Sequence, residues 1–375
     1  MRTASQRFLR RAAAVLLGLV AVFVLLELVL RIADWQPAAL LSKRSLLDRT
    51  PTRRVWYDCY PSNPHAEFRP VPDVSNGQWV LLNNLLPPEE LPLPRLAETP
   101  WCVQYELSSR GLRDVERSVE PAPGVARVAL VGDSFAFGEG VPVEKALAAS
   151  VQSALGAQGE ILNFGWPGDD TRKEIARLEA AVEPFHLRRA VVVFIANDIE
   201  MAPELQHEQE YINDLVQVRD AYLSRHRAGT AQFAWSRLLT TVSGYLDMRR
   251  VTAKTIQWYR DLYDPAKNGV ALQRFRAALD HLAREPNCRV VLVLYPLLEH
   301  FEGAYPLQPV HDAVASMART AGLPVLDLAP AFAGQRTEDL WVHPCDHHPN
   351  GSAHAIAGRA LADWLQRGVP GFLTP

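Results

Sequence analysis

Five residues of this chain are of the types that acyl transfer needs, three of them at the ends of apolar runs and two just before a helical stretch. Ser134 closes the run ARVALVGDS (126–134). Gly168 lies in NFGWPGDD (163–170) and Asn197 in IAND (195–198), each at the end of a further apolar run. Asp346 and His348 lie in DHHPNGSAH (346–354), just before a helical stretch. A serine hydroxyl becomes a useful nucleophile only when a base takes its proton. His348 can be that base, with Asp346 orienting the imidazole and stabilising its charged form. The tetrahedral intermediate carries an oxyanion that needs preorganised donors. The backbone N–H groups of Ser134 and Gly168 and the side-chain amide of Asn197 can supply them. Glycine at 168 also lets the backbone approach a substrate closely and adopt a positive φ.

The elements that must position these residues are legible as alternating patterns. Continuous apolar runs at 126–134, 160–166, 188–198, 288–296 and 323–329 read as buried parallel strands. Helical patterns fill 144–158, 171–185, 306–321 and 353–367. Strands alternating with helices predict a doubly wound parallel sheet. Such sheets place their sites at the carboxyl ends of the strands, which is where Ser134, Gly168 and Asn197 fall. About 90 residues separate the third run from the fourth, where one helix would suffice. Residues 200–268 read as a largely helical, amphipathic insertion, either shaping substrate access or lying as a structural flap.

The set GDSF, NFGWPG, AND and DHHPNGSAH resembles the four blocks of the SGNH (GDSL-type) hydrolase superfamily. The resemblance covers residues 126 to 368. It implies a flavodoxin-like three-layer α/β/α sandwich with a parallel five-stranded sheet. It also implies Ser134 as nucleophile, His348 as base, and Ser134, Gly168 and Asn197 as the oxyanion hole, with no cofactor. Two features depart from common patterns. The family often places its acid three residues before the histidine, where this chain has Cys345, and Asp346 stands two before. GDSFA is not the GxSxG elbow of the α/β-hydrolases, because position 136 is alanine.

Plainer readings stand beside these. Ser134 after a strand could be a helix N-cap, Asn197-Asp198 a simple turn, and Asp133 a turn stabiliser. His347 could replace His348 as base, although the following Pro-Asn favours His348. His343, Cys345, Asp346, His347 and His348 resemble a metal cluster, but neighbours in one short loop rarely converge tetrahedrally, and the expectation is no metal. His354 reads as structural. The stretch Arg110-Gly111-Leu112-Arg113-Asp114 resembles one that precedes this domain in membrane-anchored relatives, and the sequence supplies no mechanism for it.

Residues 12–30 read AAAVLLGLVAVFVLLELVL, 19 residues with one charge, Glu27. As a helix this spans roughly 28 Å, close to the hydrocarbon thickness. Arg2, Arg7, Arg10 and Arg11 precede it and only Arg31 follows closely, so the N-terminus is expected in the cytoplasm and the rest in the periplasm or outside. A cleaved signal peptide would show a shorter core and a small-x-small site, and RIADWQPAAL offers a poor one. Glu27, near the outer end, is expected to reach the headgroups. Cys59, Cys102, Cys288 and Cys345 all follow this segment, where an oxidising compartment permits disulfides. Cys59–Cys102 is the favoured pair, the alternative being four buried thiols.

The remaining composition excludes other classes. With 39 basic and 42 acidic residues the chain lacks the charge of a bulk nucleic-acid binder. Apolar residues at 48% suffice for a packed core. The organisation expected is a cytoplasmic tail (1–11), a transmembrane anchor (12–31), an irregular, Pro-rich and aromatic extension packed on the domain (32–120), and an SGNH hydrolase domain (121–375). The function expected is an anchored serine esterase acting on O-acyl esters of envelope glycans or lipids. The alternatives are an O-acyltransferase, a catalytically silent scaffold, and a phospholipase should the insertion form an apolar lid. The oligomeric state stays open.

Overall fold

The computed structural model describes residues 4–33, 56–57, 78–83, 103–108, 110–212, 235–343 and 346–374. The chain divides into two units, residues 1–51 with 210–255 and residues 52–209 with 256–375.

The first unit contains helix α1, Ala4–Ile32, whose apolar side chains are exposed along its length. Its Gln6–Ile32 stretch is long and apolar enough, by length and composition, to cross a membrane. The helix begins ahead of the apolar run because Gln and Arg are good helix formers. Glu27 is paired within the protein. Its carboxylate accepts from Ser236 Oγ, Arg237 N–H and Leu238 N–H, all at 2.9 Å, and from Arg31 Nε at 2.6 Å. A helix N-terminus leaves N–H groups without intrahelical partners and carries a positive dipole end, so it takes up a carboxylate.

The second unit begins with three short strands, β1 (Trp56–Tyr57), β2 (Gln78–Asn83) and β3 (Val103–Glu106), paired antiparallel in that order. This corrects the expectation that 32–120 is wholly irregular. β1 and β3 are too brief to display a period, and the strands pair across about twenty residues of Pro-rich sequence.

Next comes the sheet that carries the site. Strands β4 (Ala126–Val131), β5 (Gly159–Asn163), β6 (Arg189–Phe194), β7 (Arg289–Leu294) and β8 (Val325–Asp327) lie parallel in the order β5-β4-β6-β7-β8. Both faces are buried, which is why the strands read as unbroken apolar runs. Val128, Leu130, Val191, Val193, Val291 and Val293 share one face with helices α2 (Leu147–Leu155) and α8 (Gly351–Arg367). The intervening strand residues are buried on the other face, where Phe194 packs on Phe275. Helices α3 (Thr171–Val182), α6 (Pro265–Ala283) and α7 (Gln308–Ala321) pack as a series.

Between β6 and α6, helix α4 (residues 203–212) and helix α5 (Arg237–Leu262) make the described insertion helical. Just before α8, β9 (Trp341–His343) and β10 (Asp346–Pro349) form a short antiparallel pair that the sequence does not announce.

Candidate active site

The chain leaves β4 through Gly132-Asp133 and enters the short helical turn Ser134–Phe137. Asp133, not Ser134, caps that turn, its Oδ1 accepting from Phe135 N–H at 2.9 Å. The Ser134 hydroxyl is thus left for other partners. It lies 3.0 Å from His348 Nε2 and 3.2 Å from Asp133 Oδ2. Ser134 is buried, and the imidazole of His348 is partly exposed beside the Phe135 ring, 5.6 Å between centroids.

His348 owes its direction to β10. Successive strand residues point to opposite sides. His347 therefore turns away, stacking on Trp341 at 3.8 Å and placing Nδ1 2.7 Å from Glu299 Oε1. Two residues further on, Asn350 caps α8 by accepting from Ser352 and Ala353 N–H and donates to the carbonyls of Asp339 and Trp341. That cap fixes where the strand must end. Asp346 contributes backbone to β10. Its carboxylate, with the side chains of His343 and Cys345, lies outside the described residues.

Gly168 and Asn197 lie in the loops after β5 and β6, the two strands that flank β4. The β5 loop is drawn against the serine turn. Trp166 N–H donates to Gly132 O at 2.9 Å, and Gly165 N–H donates to Asn163 Oδ1 at 2.9 Å. A Cβ on Gly165 would stand 2.3 Å from Phe137 N and 2.5 Å from Ala136 C, so glycine is the residue that fits there. Gly168 has φ +76° with open space beside it, and the neighbouring Asp169 is clamped by Arg177 Nη2 at 2.6 Å. In the β6 loop Asp198 closes the turn, its Oδ2 accepting from Ile195 N–H, while its carbonyl accepts from Thr171. Asn197 is exposed at the tip.

Several buried acids underlie this rim. Burial lifts Asp133 to about 6, opposed by the Phe135 N–H and by His348. Burial also lifts Glu174 and Asp198 well above the usual carboxylate range, reinforced by the neighbouring acids. His354 is fully buried, neither ring nitrogen has a hydrogen-bond partner among the described residues, and burial lowers it to about 3. This environment suits the structural reading of His354.

Sequence reasoning misses Glu139 and gives the Arg110–Asp114 stretch no role. Glu139 places a carboxylate oxygen 3.6 Å from His348 Nε2, and its N–H donates to the Ser134 carbonyl. Its position just past the serine turn is the signal that could have found it. The Arg110–Asp114 stretch straps the loops from outside. Buried Arg113 donates to Val141 O and lies over the Phe137 ring, Asp114 accepts from Asn163 N–H, and Arg110 covers Phe185.

Cys59, Cys102 and Cys345 lie outside the described residues. Cys288 is a free, buried thiol, pushed up to about 12 by burial. Among the described residues no group of His, Cys, Asp or Glu could hold a metal ion.

In this strand order the connections diverge at β4, and open α/β sheets bind ligands at such a switch point. The hydroxyl–imidazole pair sits there, in the architecture of the SGNH hydrolases. The chain belongs to the GDSL-like Lipase/Acylhydrolase family, whose profile matches residues 130–356. Among solved structures it is similar to the lipase/acylhydrolase from Enterococcus faecalis, with 17% identity, 64% of this chain and 96% of that chain covered, and a TM-score of 0.36. It is similar to Est24, a carbohydrate acetylesterase from Sinorhizobium meliloti, at 13% identity, 65% and 100% coverage and a TM-score of 0.34. It is also similar to the M. smegmatis aryl esterase, at 12% identity, 64% and 99% coverage and a TM-score of 0.33. No curated protein matches the chain.

Proposed function

We propose that the protein is a membrane-anchored serine esterase that hydrolyses O-acyl esters of cell-envelope glycans or lipids through an acyl-serine intermediate. The observation that carries this reading is the 3.0 Å separation of Ser134 Oγ and His348 Nε2, within proton-transfer reach.

As Ser134 attacks the carbonyl carbon, its proton passes to His348 Nε2. The tetrahedral oxyanion is met by the N–H groups of Ser134 and Gly168 and the amide of Asn197, each such donor being worth about 10²–10³ in rate. His348 then protonates the departing alcohol, and the acyl group remains on Ser134. Water takes the place of the alcohol and attacks the acyl carbon while giving a proton to the same nitrogen; His348 then returns that proton to Ser134 Oγ as the acyl–Oγ bond breaks and the acid leaves. Asp346 holds the imidazole in the required tautomer. The reaction balances without a cofactor.

The envelope assignment draws on the apolar length of α1 and on the arginines ahead of it. Residues 1–11 then face the cytoplasm, 12–31 span the bilayer, and 32–120 and the hydrolase domain 121–375 lie in the periplasm or outside.

The test uses the full chain in detergent with a fluorophosphonate probe and a chromogenic acyl ester, with and without glycan acceptors. The expected result is covalent label on Ser134 and free acid whether or not acceptor is present. Transfer of the acyl group to acceptor in preference to water would make the protein a transferase. Folded protein that leaves Ser134 unlabelled would be a silent scaffold.

A further inference from the structure

The clasp on Glu27 joins the apolar helix to the start of the insertion. Besides the three donors at 236–238, Arg31 donates to the Trp235 carbonyl, and the Phe23 and Trp235 rings lie 6.3 Å apart. A carboxylate inside a membrane span is costly unless it is paired. Here its partners are the first N–H groups of α5, so Glu27 and the start of α5 share one depth. Ile32, the last residue of α1, is one and a half turns beyond Glu27, about 7–8 Å along the axis. On the reading of α1 as a span, that depth lies about one helical turn inside the boundary between hydrocarbon and headgroups.

From this point the insertion presents an apolar stripe that the other described residues leave exposed. Trp235, Val242, Tyr245 and Leu246 are 62%, 46%, 48% and 58% exposed. Residues 242, 245, 246 and 249 fall on one helical face. Arg249 closes the stripe, its guanidinium 5.9 Å from the Tyr245 ring centroid. Trp235 stands at the near end, Val242, Tyr245 and Leu246 follow, and Arg249 stands at the far end, a row of apolar and amphipathic side chains suited to the acyl–headgroup boundary. From Arg237 to Arg249 the helix runs about 18 Å, well over the roughly 6–8 Å of one headgroup layer. The stripe can therefore stay at the boundary only if the helix is inclined along the surface.

We infer that residues 235–249 form an interfacial helix seated in phospholipid, in the leaflet where α1 emerges. The inference rests on the reading of α1 as a membrane span and adds to it a second lipid contact, locked to the span by Glu27. The occupant of the stripe is the acyl–headgroup boundary of the bilayer.

The experiment places the photo-reactive residue benzoylphenylalanine, one site at a time, at Leu25, Val242, Leu246 and Gln257 of the full chain in phosphatidylcholine–phosphatidylglycerol vesicles. Ester hydrolysis and fluorophosphonate labelling verify that each variant is folded. Lipid adducts at Leu25 report the span itself. The expected result is lipid adducts at Leu25, Val242 and Leu246 and loss of the adduct at Gln257, two to three turns further along α5. Adducts at Leu25 with Val242 and Leu246 no better than Gln257 would overturn the inference and leave the span intact. Crosslinks from Val242 and Leu246 to protein, within the chain or to a second copy, would likewise overturn it. Absence of adducts at Leu25 would remove the span and the inference together.

Discussion

Glu139 holds a carboxylate oxygen 3.6 Å from Nε2 of His348, the nitrogen that also faces the Ser134 hydroxyl. A negative charge there favours the imidazolium that forms when serine gives up its proton. It equally holds a proton on the resting histidine, which the base must shed before it can act. Glu139→Gln should therefore move the acid limb of the kcat/KM profile to lower pH. A pH–rate profile with an unmoved acid limb would show that the carboxylate does not couple to the base.

The nucleophile and base should be separable from stability. Ser134→Ala removes a hydroxyl that meets Asp133 and His348, so its stability should change by no more than about 1 kcal/mol. Its kcat should fall by roughly 10⁴-fold or more, and His348→Asn should do the same, with the double variant no worse than either alone. Denaturant melts and initial rates on one preparation check both halves.

Two glycines of the same loop should respond in opposite ways. At Gly165 an added methyl meets the backbone of Ala136 and Phe137 well inside contact distance. Gly165→Ala must push the serine turn aside, at a cost of roughly 3 kcal/mol or more. Gly168→Ala has open space and faces only its φ of +76°, which costs about 1–2 kcal/mol. Urea midpoints for the two variants should separate clearly, and equal midpoints would contradict the packing described.

Asp133 makes stability depend on pH. Burial raises its pKa from 3.8 unfolded to about 6 folded, so the native state binds the proton more tightly. Its contribution is fully present below about pH 4 and is lost as pH rises through 6, when a buried charge must be carried. Asparagine caps a helical turn as well as aspartate. Asp133→Asn should thus gain stability relative to the parent between pH 4 and 7, by the order of 1–3 kcal/mol. A difference that stays constant across that range would refute the assignment.

The order of strands and helices was open to inspection because a buried parallel strand writes its environment into a short apolar run, and an amphipathic helix writes its own at a period of 3.6. The runs ending at Ser134, in the Gly168 loop and at Asn197 became adjacent strands, and the alternation placed their ends at one rim. The strands of the extension and the β9–β10 pair were not legible, because most are two to four residues long, too short to display a period, and the six-residue β2 stands alone amid Pro-rich sequence. Ser134 and His348 stand 214 residues apart, and residue types alone made either His347 or His348 a candidate base. Tertiary structure separated them, because the direction of β10 sends one ring to Trp341 and the other to the serine. It also brought Glu139 to the imidazole, gave the Arg110–Asp114 stretch a purpose, and made Glu27 the cap of a helix distant in sequence. Local sequence encodes how each residue relates to its neighbours along the chain. Which groups share a hydrogen bond depends on how separate elements pack, and that is decided only when the chain closes on itself.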